Sequence, residues 1–338
     1  MSTRTSVLPP ALTVRGPRRA RPALSPGAWI GILAVLAAAS VGLYLTVDLS
    51  GDLGYVLPRR VNRVLTMVLV AYAVGVSTVL FQTITGNRIL TPSIMGFDAL
   101  YVLLQTVLVF FVGSAGLVAL GDGATFGLEL ALMVAFSWLI YRWLFTGSGK
   151  SLHLVLLVGI VFGTVFRGIS SLLQRLLEPS EFVVLQDAMF ASFGNVDTGL
   201  LRLSALLVGL VSLVALAFRR HLDVLALGRD TAISLGVDHT RVVTAVLVVC
   251  SVLVGVCTAL VGPITFFGLI VANLAYALCR TFRHRHVLPM AVLLGIIALV
   301  GGQVVLEQVF AFDTALSIVI EFAGGLLFLV LLLRGSIK

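Results

Sequence analysis

The chain has 338 residues, of which 59% are apolar and 11% charged, with a mean hydropathy of +1.12 and a formal charge of +8. Soluble globular domains carry about 45–50% apolar and about 25% charged residues, so a water-soluble enzyme is excluded, as are collagen-like, disordered and disulfide-scaffold chains. The solvent of this chain is lipid, and its basic excess has to be read by position before any nucleic-acid reading is entertained.

Residues 1–27 form a tail rich in Pro and Arg (Arg4, Arg15, Arg18, Arg19 and Arg21) without an acidic residue, too poor in apolar side chains to fold alone. A helix needs about 20 mostly apolar residues to cross the hydrocarbon core. Ten stretches of this kind follow, at about 28–47, 61–82, 92–113, 124–145, 152–173, 200–218, 241–261, 263–279, 287–307 and 314–334. The first is longer than the roughly 7–15 residues of a signal-peptide core. Pro58, Pro92, Pro263 and Pro289 are expected at or just before helix starts, where a missing N–H costs nothing. No segment alternates with period two, so a lipid-facing β-barrel is excluded. The sequence predicts an all-α integral membrane domain over 28–338.

Cytoplasmic loops are enriched in Lys and Arg. With the tail cytoplasmic, 17 of the 23 basic residues fall on the inner side, among them Arg88, Arg142, Lys150, Arg219, Arg220, Arg229, Arg241, Arg280, Arg283, Arg285, Arg334 and Lys338. The outer side holds Arg59, Arg60, Arg63, Arg167, Arg175 and Arg202. Ten spans return both termini to the cytoplasm. The charge is thus a topology signal, and no nucleic-acid partner is expected.

Two connections are long. The outer segment 174–199 mixes Gln174, Arg175, Glu178, Glu181, Gln186, Asp187, Asn195 and Asp197 with Met189, Phe190 and Phe193, which suggests short surface helices. They form either part of a substrate vestibule or a plain connector. The inner segment 219–241 places Leu222, Leu225 and Ala226, then Ala232, Ile233 and Leu235, at helical spacing interrupted by Gly228 and Gly236. Glycine at such points supplies the positive φ that stops a helix. Two short amphipathic helices with a turn between them are expected, offering apolar residues either to a cytoplasmic partner or to lipid headgroups.

The run Gly147–Ser151 looks like the end of a P-loop, but the glycine such a cradle needs with four residues between it and Gly149 is Leu144, and no strand precedes it. No ATP site is expected in this chain. His284 and His286 alternate with Arg283 and Arg285, which reads as a solvated charge run, and no histidine or cysteine spacing resembles a zinc site. Cys250, Cys257 and Cys279 sit in apolar runs as small hydrophobes. Polar groups inside spans are costly and are candidate pathway residues: Gln82, Asp98, Gln105, Glu129, Gln303 and Glu321. Asp98 should lie about 9 Å into the third helix, counted from Pro92 at 1.5 Å per residue.

Several strings are familiar in order and spacing. Arg60-Val61-Asn62-Arg63, then Gln82, then the stretch from Asn87 through Pro92 to Gly96, resembles R-x-x-R…Q…N-P-L-x-x-P-x-x-x-G of the iron-siderophore/cobalamin ABC permease family. Residues 222–238 resemble its coupling segment L-x-x-L-x-L-G-x-x-x-A-x-S-L-G, and Gly262 to Leu269 resembles G-P-I-x-F-x-G-L. There are departures. Arg88 stands for a Pro, Ala272, Asn273 and Tyr276 stand in place of P-H-x-x-R, Glu307 stands for an Arg, and Ala315 and Ser317 for Pro and Gly. The pattern is closest to the subgroup linked to catecholate-type siderophores.

The resemblance implies a type II ABC importer permease of ten helices, paired with a second permease or with its own copy, two ATPase subunits and an extracellular binding protein, in a bacterial cytoplasmic membrane. The cargo would be a ferric siderophore, with cobalamin or haem as alternatives. No cofactor would bind this chain, since ATP and magnesium belong to the ATPase. Leu222, Leu225, Gly228, Arg229, Ala232, Leu235, Gly236 and Asp238 would engage that ATPase, with Ala232 where nothing larger fits. Arg60 and Arg63 would seat the binding protein, and Gln82, Asp98, Gln303 and Glu321 would lie along the pathway. A gradient-driven transporter relaying protons through Asp98 and Glu321 is the rival reading; it leaves segment 219–241 without a purpose.

Overall fold

The computed structural model describes residues 25–47, 52–145, 152–194, 196–279, 281–309 and 316–333. The tail up to residue 24, the Gly147–Ser151 run, Asn195, Arg280, Ala315, Arg334 and Lys338 lie outside the described residues. In chain order the helices are α1 (Pro26–Thr46), α2 (Leu53–Thr85), α3 (Phe97–Leu120) after a 3₁₀ turn (Pro92–Met95), α4 (Asp122–Phe145), α5 (Leu152–Gln174) and α6 (Pro179–Ala188). Then come α7 (Thr198–Leu225), α8 (Arg229–Ser234), α9 (His239–Val261), α10 (Phe267–Cys279), α11 (His284–Ile296), α12 (Gly302–Val309) and α13 (Leu316–Leu333). A π turn (Ile297–Gly301) joins α11 to α12, and among the described residues there is no strand.

Eight of these stretches are long and apolar enough to cross a membrane, and α10 and Leu316–Val330 are shorter apolar helices. Together they fall on the ten expected spans. Depth in the bundle is uneven. The apolar windows of α2 and α9 are 72% buried, whereas those of α1, α3 and α5 are only 11–17% buried. Thus α2 and α9 pack on each other as an axis, α11 packs on α2, α7 and α4 pack on α9, and α5 leans on α3. Phe111, Val118, Leu213 and Phe322 stand exposed, an arrangement that suits a lipid solvent.

Lipid tails are as apolar as leucine, so close packing and not the hydrophobic effect holds such helices together. At the α2–α11 crossing a Cβ on Gly295 would lie 3.0 Å from the Ala71 Cβ, and one on Gly75 would meet the Ala291 backbone at 3.5 Å. These small residues let the two backbones approach, and a leucine at either glycine would force the helices apart.

The structure corrects several helix boundaries. Pro58 and Pro289 are each the sixth residue of their helices, α2 and α11. In α2 the Asp52 carboxylate accepts from Gly54 N (2.9 Å) and starts the helix upstream of the proline. Pro263 lies in a non-helical stretch, 262–266, so the eighth span is a 13-residue half-helix, about 20 Å long. Irregular backbone at membrane depth is tolerated only where protein covers it. Ile264 is indeed buried, and Gly262 lies against the backbone of Phe190 and Ala191. Asp98 is the second residue of α3, not a residue 9 Å inside it, because Gly96 at φ +92° separates the Pro92 turn from the helix. The outer segment holds one helix, α6, whose Glu181 accepts from the backbone N–H and hydroxyl of Ser114 (2.8 and 2.9 Å) where Gly113 breaks α3.

Candidate functional site

Segment 219–241 forms a knob at one end of the bundle, built differently from the expectation. Its first half is the unbroken end of α7, which runs to Leu225, and only α8 is a separate short helix. Leu222 and Leu225 of this extension are buried by the rest of the chain, which supports the helix beyond the span. Gly228 (φ +99°) and Gly236 (φ +81°) make the two reversals, conformations that cost a residue with a Cβ roughly 1 kcal/mol or more. The Gly236 reversal is closed by bonds from Gly236 N to Ile233 O and from Val237 N to Ala232 O (2.9 and 3.0 Å).

The side chains then sort into two sets. Leu222, Leu225 and Ala232 are buried within the chain itself, so they hold the knob together and are not part of its outer surface. Leu227, Ile233 and Leu235 are 51–62% exposed and form the outward apolar face. Arg229 is exposed at the start of α8, and Asp238 caps α9 by accepting from Arg241 N (3.1 Å). The sequence spacing could not separate the sets, because the amphipathic pattern does not say which face meets α7 and α9.

Just beneath the knob, His284 departs from the expected solvated charge run. It is only 3% exposed. Its Nδ1 meets Asp223 Oδ1 at 2.6 Å, its backbone N–H donates to the same oxygen (3.0 Å), and its Nε2 lies 2.8 Å from the Thr83 hydroxyl. One imidazole therefore ties the knob end of α7 to the start of α11 and the end of α2. Nothing in the local sequence marks this, since Asp223 lies 61 and Thr83 201 positions away. Beside it, Gln82 Nε2 and Asn273 Nδ2 both donate to the Arg88 carbonyl (2.7 and 3.1 Å), which pins the loop after α2.

In mid-bundle Asp98 finds a partner the sequence did not name: the Thr265 hydroxyl donates to Asp98 Oδ2 (2.8 Å). This bond stitches the irregular starts of the third and eighth spans together. Glu321 and Arg167 lie near enough to act on Asp98 electrostatically. Beside these groups is a cavity of about 10 Å³ lined by Thr91, Ser93 and Thr265, room for about one water. Gln105 donates to Glu129, pairing those two polar groups.

At the end opposite the knob, Arg60 and Arg63 are engaged by their own chain. Arg63 Nη1 lies 3.0 Å from Glu307 Oε1 and donates to the Tyr44 hydroxyl (3.1 Å), while Gln303 donates to the same Glu307 oxygen (2.7 Å). Arg60 donates to the Tyr44 carbonyl (2.9 Å) and stacks on the Tyr44 ring. Gln303 thus lies with this terminal cluster, away from Gln82 and Asp98. The cluster explains how a carboxylate is accommodated at position 307. Reversing Arg63 to Glu should place two carboxylates together and lower the melting temperature of the purified protein, and Arg63→Glu with Glu307→Arg should recover most of the loss. A double variant as unstable as the sum of the singles would show that the pair is uncoupled.

The chain matches the model of the FecCD transport family over residues 27–334. It belongs to that family. It is 48% identical over 305 residues to the petrobactin import system permease protein YclO of Bacillus subtilis (strain 168), covering 90% of this chain and 96% of that protein. It is 37% identical over 279 residues to the petrobactin import system permease protein FatC of Bacillus anthracis, covering 82% and 79%. Among solved structures, a metal-chelate type ABC transporter in an inward-facing conformation superposes with a TM-score of 0.74 at 24% identity, over 92% of this chain and all of that one. That likeness shows that this chain shares the fold of that transporter.

Proposed function

We propose that this FecCD-family chain is a permease subunit of an ABC importer that moves a ferric siderophore of the petrobactin kind across the bacterial cytoplasmic membrane. The observation that carries it is the knob: buried Leu222, Leu225 and Ala232 and two positive-φ glycines present Leu227, Ile233 and Leu235 to a partner, in a chain 48% identical to a petrobactin import permease. Energy enters there by contact with an ATPase subunit, which binds ATP and magnesium. A second permease completes the pathway, and a loaded binding protein docks at the opposite, external end beside the Arg60–Arg63–Glu307 cluster. Because both arginines are occupied internally, that cluster shapes the docking surface more than it supplies free charges. Segment 174–194 with α6 forms part of the same external rim.

Reconstituting the chain with its neighbouring permease, ATPase and binding protein should give ATP-dependent accumulation of ⁵⁵Fe-petrobactin in vesicles. Accumulation driven by a proton or sodium gradient, without the ATPase, overturns the reading. Orientation has its own check. A single cysteine replacing the exposed Asp230, in an otherwise cysteine-free chain, should react with an impermeant maleimide only in inside-out vesicles. Labelling in intact cells would place the knob on the wrong side.

A further inference from the structure

A cavity of about 500 Å³ opens beside the knob, lined by Gln82, Asn87, Arg88, Tyr276, Phe282 and His284 among others. Its volume lies in the range of about 300–1,000 Å³ typical of small-molecule sites. Arg88 is half-buried, and its guanidinium carbon lies 4.9 Å from the centre of the Tyr276 ring and 5.3 Å from that of Phe282. Among the described residues it has no ion-pair partner, and no carboxylate lines the cavity. The Asp223 carboxylate is bonded to His284. Gln82 is 3% exposed; its amide nitrogen is committed to the Arg88 carbonyl, and its Oε1 has no hydrogen-bond partner.

These features are complementary to one kind of ligand. A guanidinium within reach of two ring faces can still offer its fork to a bidentate anion, and it is weakly enough hydrated to give up water for one. The rings offer faces to planar aryl groups. Gln82 Oε1 is a buried acceptor without a partner at the cavity wall, which a polar ligand reaches only if the wall yields. A phosphate would leave the rings unused. We propose that this cavity is a binding subsite for an anionic, aryl-bearing ferric chelate at the inner mouth of the permease, with Arg88 as the residue that selects for its charge. The proposal rests on the function above and adds where the cargo is held as it leaves.

The test uses the importer assembled with its ATPase in nanodiscs, without binding protein or nucleotide. Equilibrium dialysis measures binding of the ⁵⁵Fe complex of a hexadentate tris-catecholamide, a polyanion, and of a neutral ferric trihydroxamate of similar size. Arg88→Gln should weaken the anionic complex at least tenfold and leave the neutral one unchanged. Arg88→Lys, which keeps the charge but not the fork, should lose less, and Tyr276→Ala should weaken the anionic complex several-fold. Equal binding by the native and Arg88→Gln importers overturns the proposal, as does equal loss for both complexes, which means a structural defect. Release of the ATPase from the Arg88→Gln importer with chelate binding intact assigns the cavity to subunit contact and also overturns it. If the native importer shows no ATP-driven uptake, the functional reading fails first. If it transports while Arg88→Gln binds normally, only the subsite is lost.

Discussion

Replacing Leu235 with Asp is expected to abolish siderophore uptake and transport-linked ATP hydrolysis while leaving the permease folded in the membrane. Leu235 is 61% exposed on the knob, so the folded chain by itself loses little. Burying a leucine against a partner is worth about 1.5–3 kcal/mol, and an unpaired carboxylate in the same contact adds a desolvation cost. Association with the ATPase should therefore weaken at least about tenfold to a hundredfold. Ile233→Asp should behave alike. Ala232→Trp should also stop transport, but for a different reason. Ala232 is fully buried within the chain, and an indole there overpacks the contact of α8 with its supports at a cost of about 1–3 kcal/mol. The two variants separate in thermal stability: Ala232→Trp should melt earlier and Leu235→Asp should not. Pull-down of the ATPase, uptake and melting temperature measured on the same preparations decide the matter. A Leu235→Asp importer whose ATP hydrolysis is still stimulated by loaded binding protein removes the knob from the coupling path.

His284→Ala is the second large effect. The imidazole bridges Asp223 at the end of α7 and Thr83 at the end of α2 from the first residue of α11. Leaving buried polar partners unsatisfied costs about 1–3 kcal/mol, so the melting temperature should fall by several degrees. The further expectation is uncoupling. The knob and the end of α2 are joined through this ring, so the chelate moved per ATP hydrolysed should drop more than the ATPase rate. Asp223→Asn keeps an acceptor for the His284 backbone N–H and should have a milder effect on both measures. Equal stability loss in both variants with unchanged transport per ATP would reduce His284 to a structural tie.

The difference between Leu235 and Ala232 shows where sequence reading stops. Number and order of the spans were legible because lipid imposes a rule on each segment separately: about 20 apolar residues must satisfy their own backbone. The glycine stops of the knob were legible for a similar reason, since a positive φ is a property of one residue, and Gly228 and Gly236 do reverse the chain. Family membership was legible in the order and spacing of short strings such as Gly262 to Leu269.

Only the folded chain decided which residues of the knob face outward, since Leu222, Leu225 and Ala232 are as apolar as Ile233 and Leu235 and the choice depends on what the neighbouring helices cover. The same holds for pairs far apart in sequence. Arg63 meets Glu307 across 244 positions and Asp98 meets Thr265 across 167, while His284, read as part of a charge run, is buried between two helices. The eighth span was legible as apolar but not as a half-helix, because whether Gly262 to Phe266 stays unwound depends on the protein that covers it. Local rules act on one segment in lipid, whereas partners, burial and broken helices are set by packing between segments, which no single stretch of sequence contains.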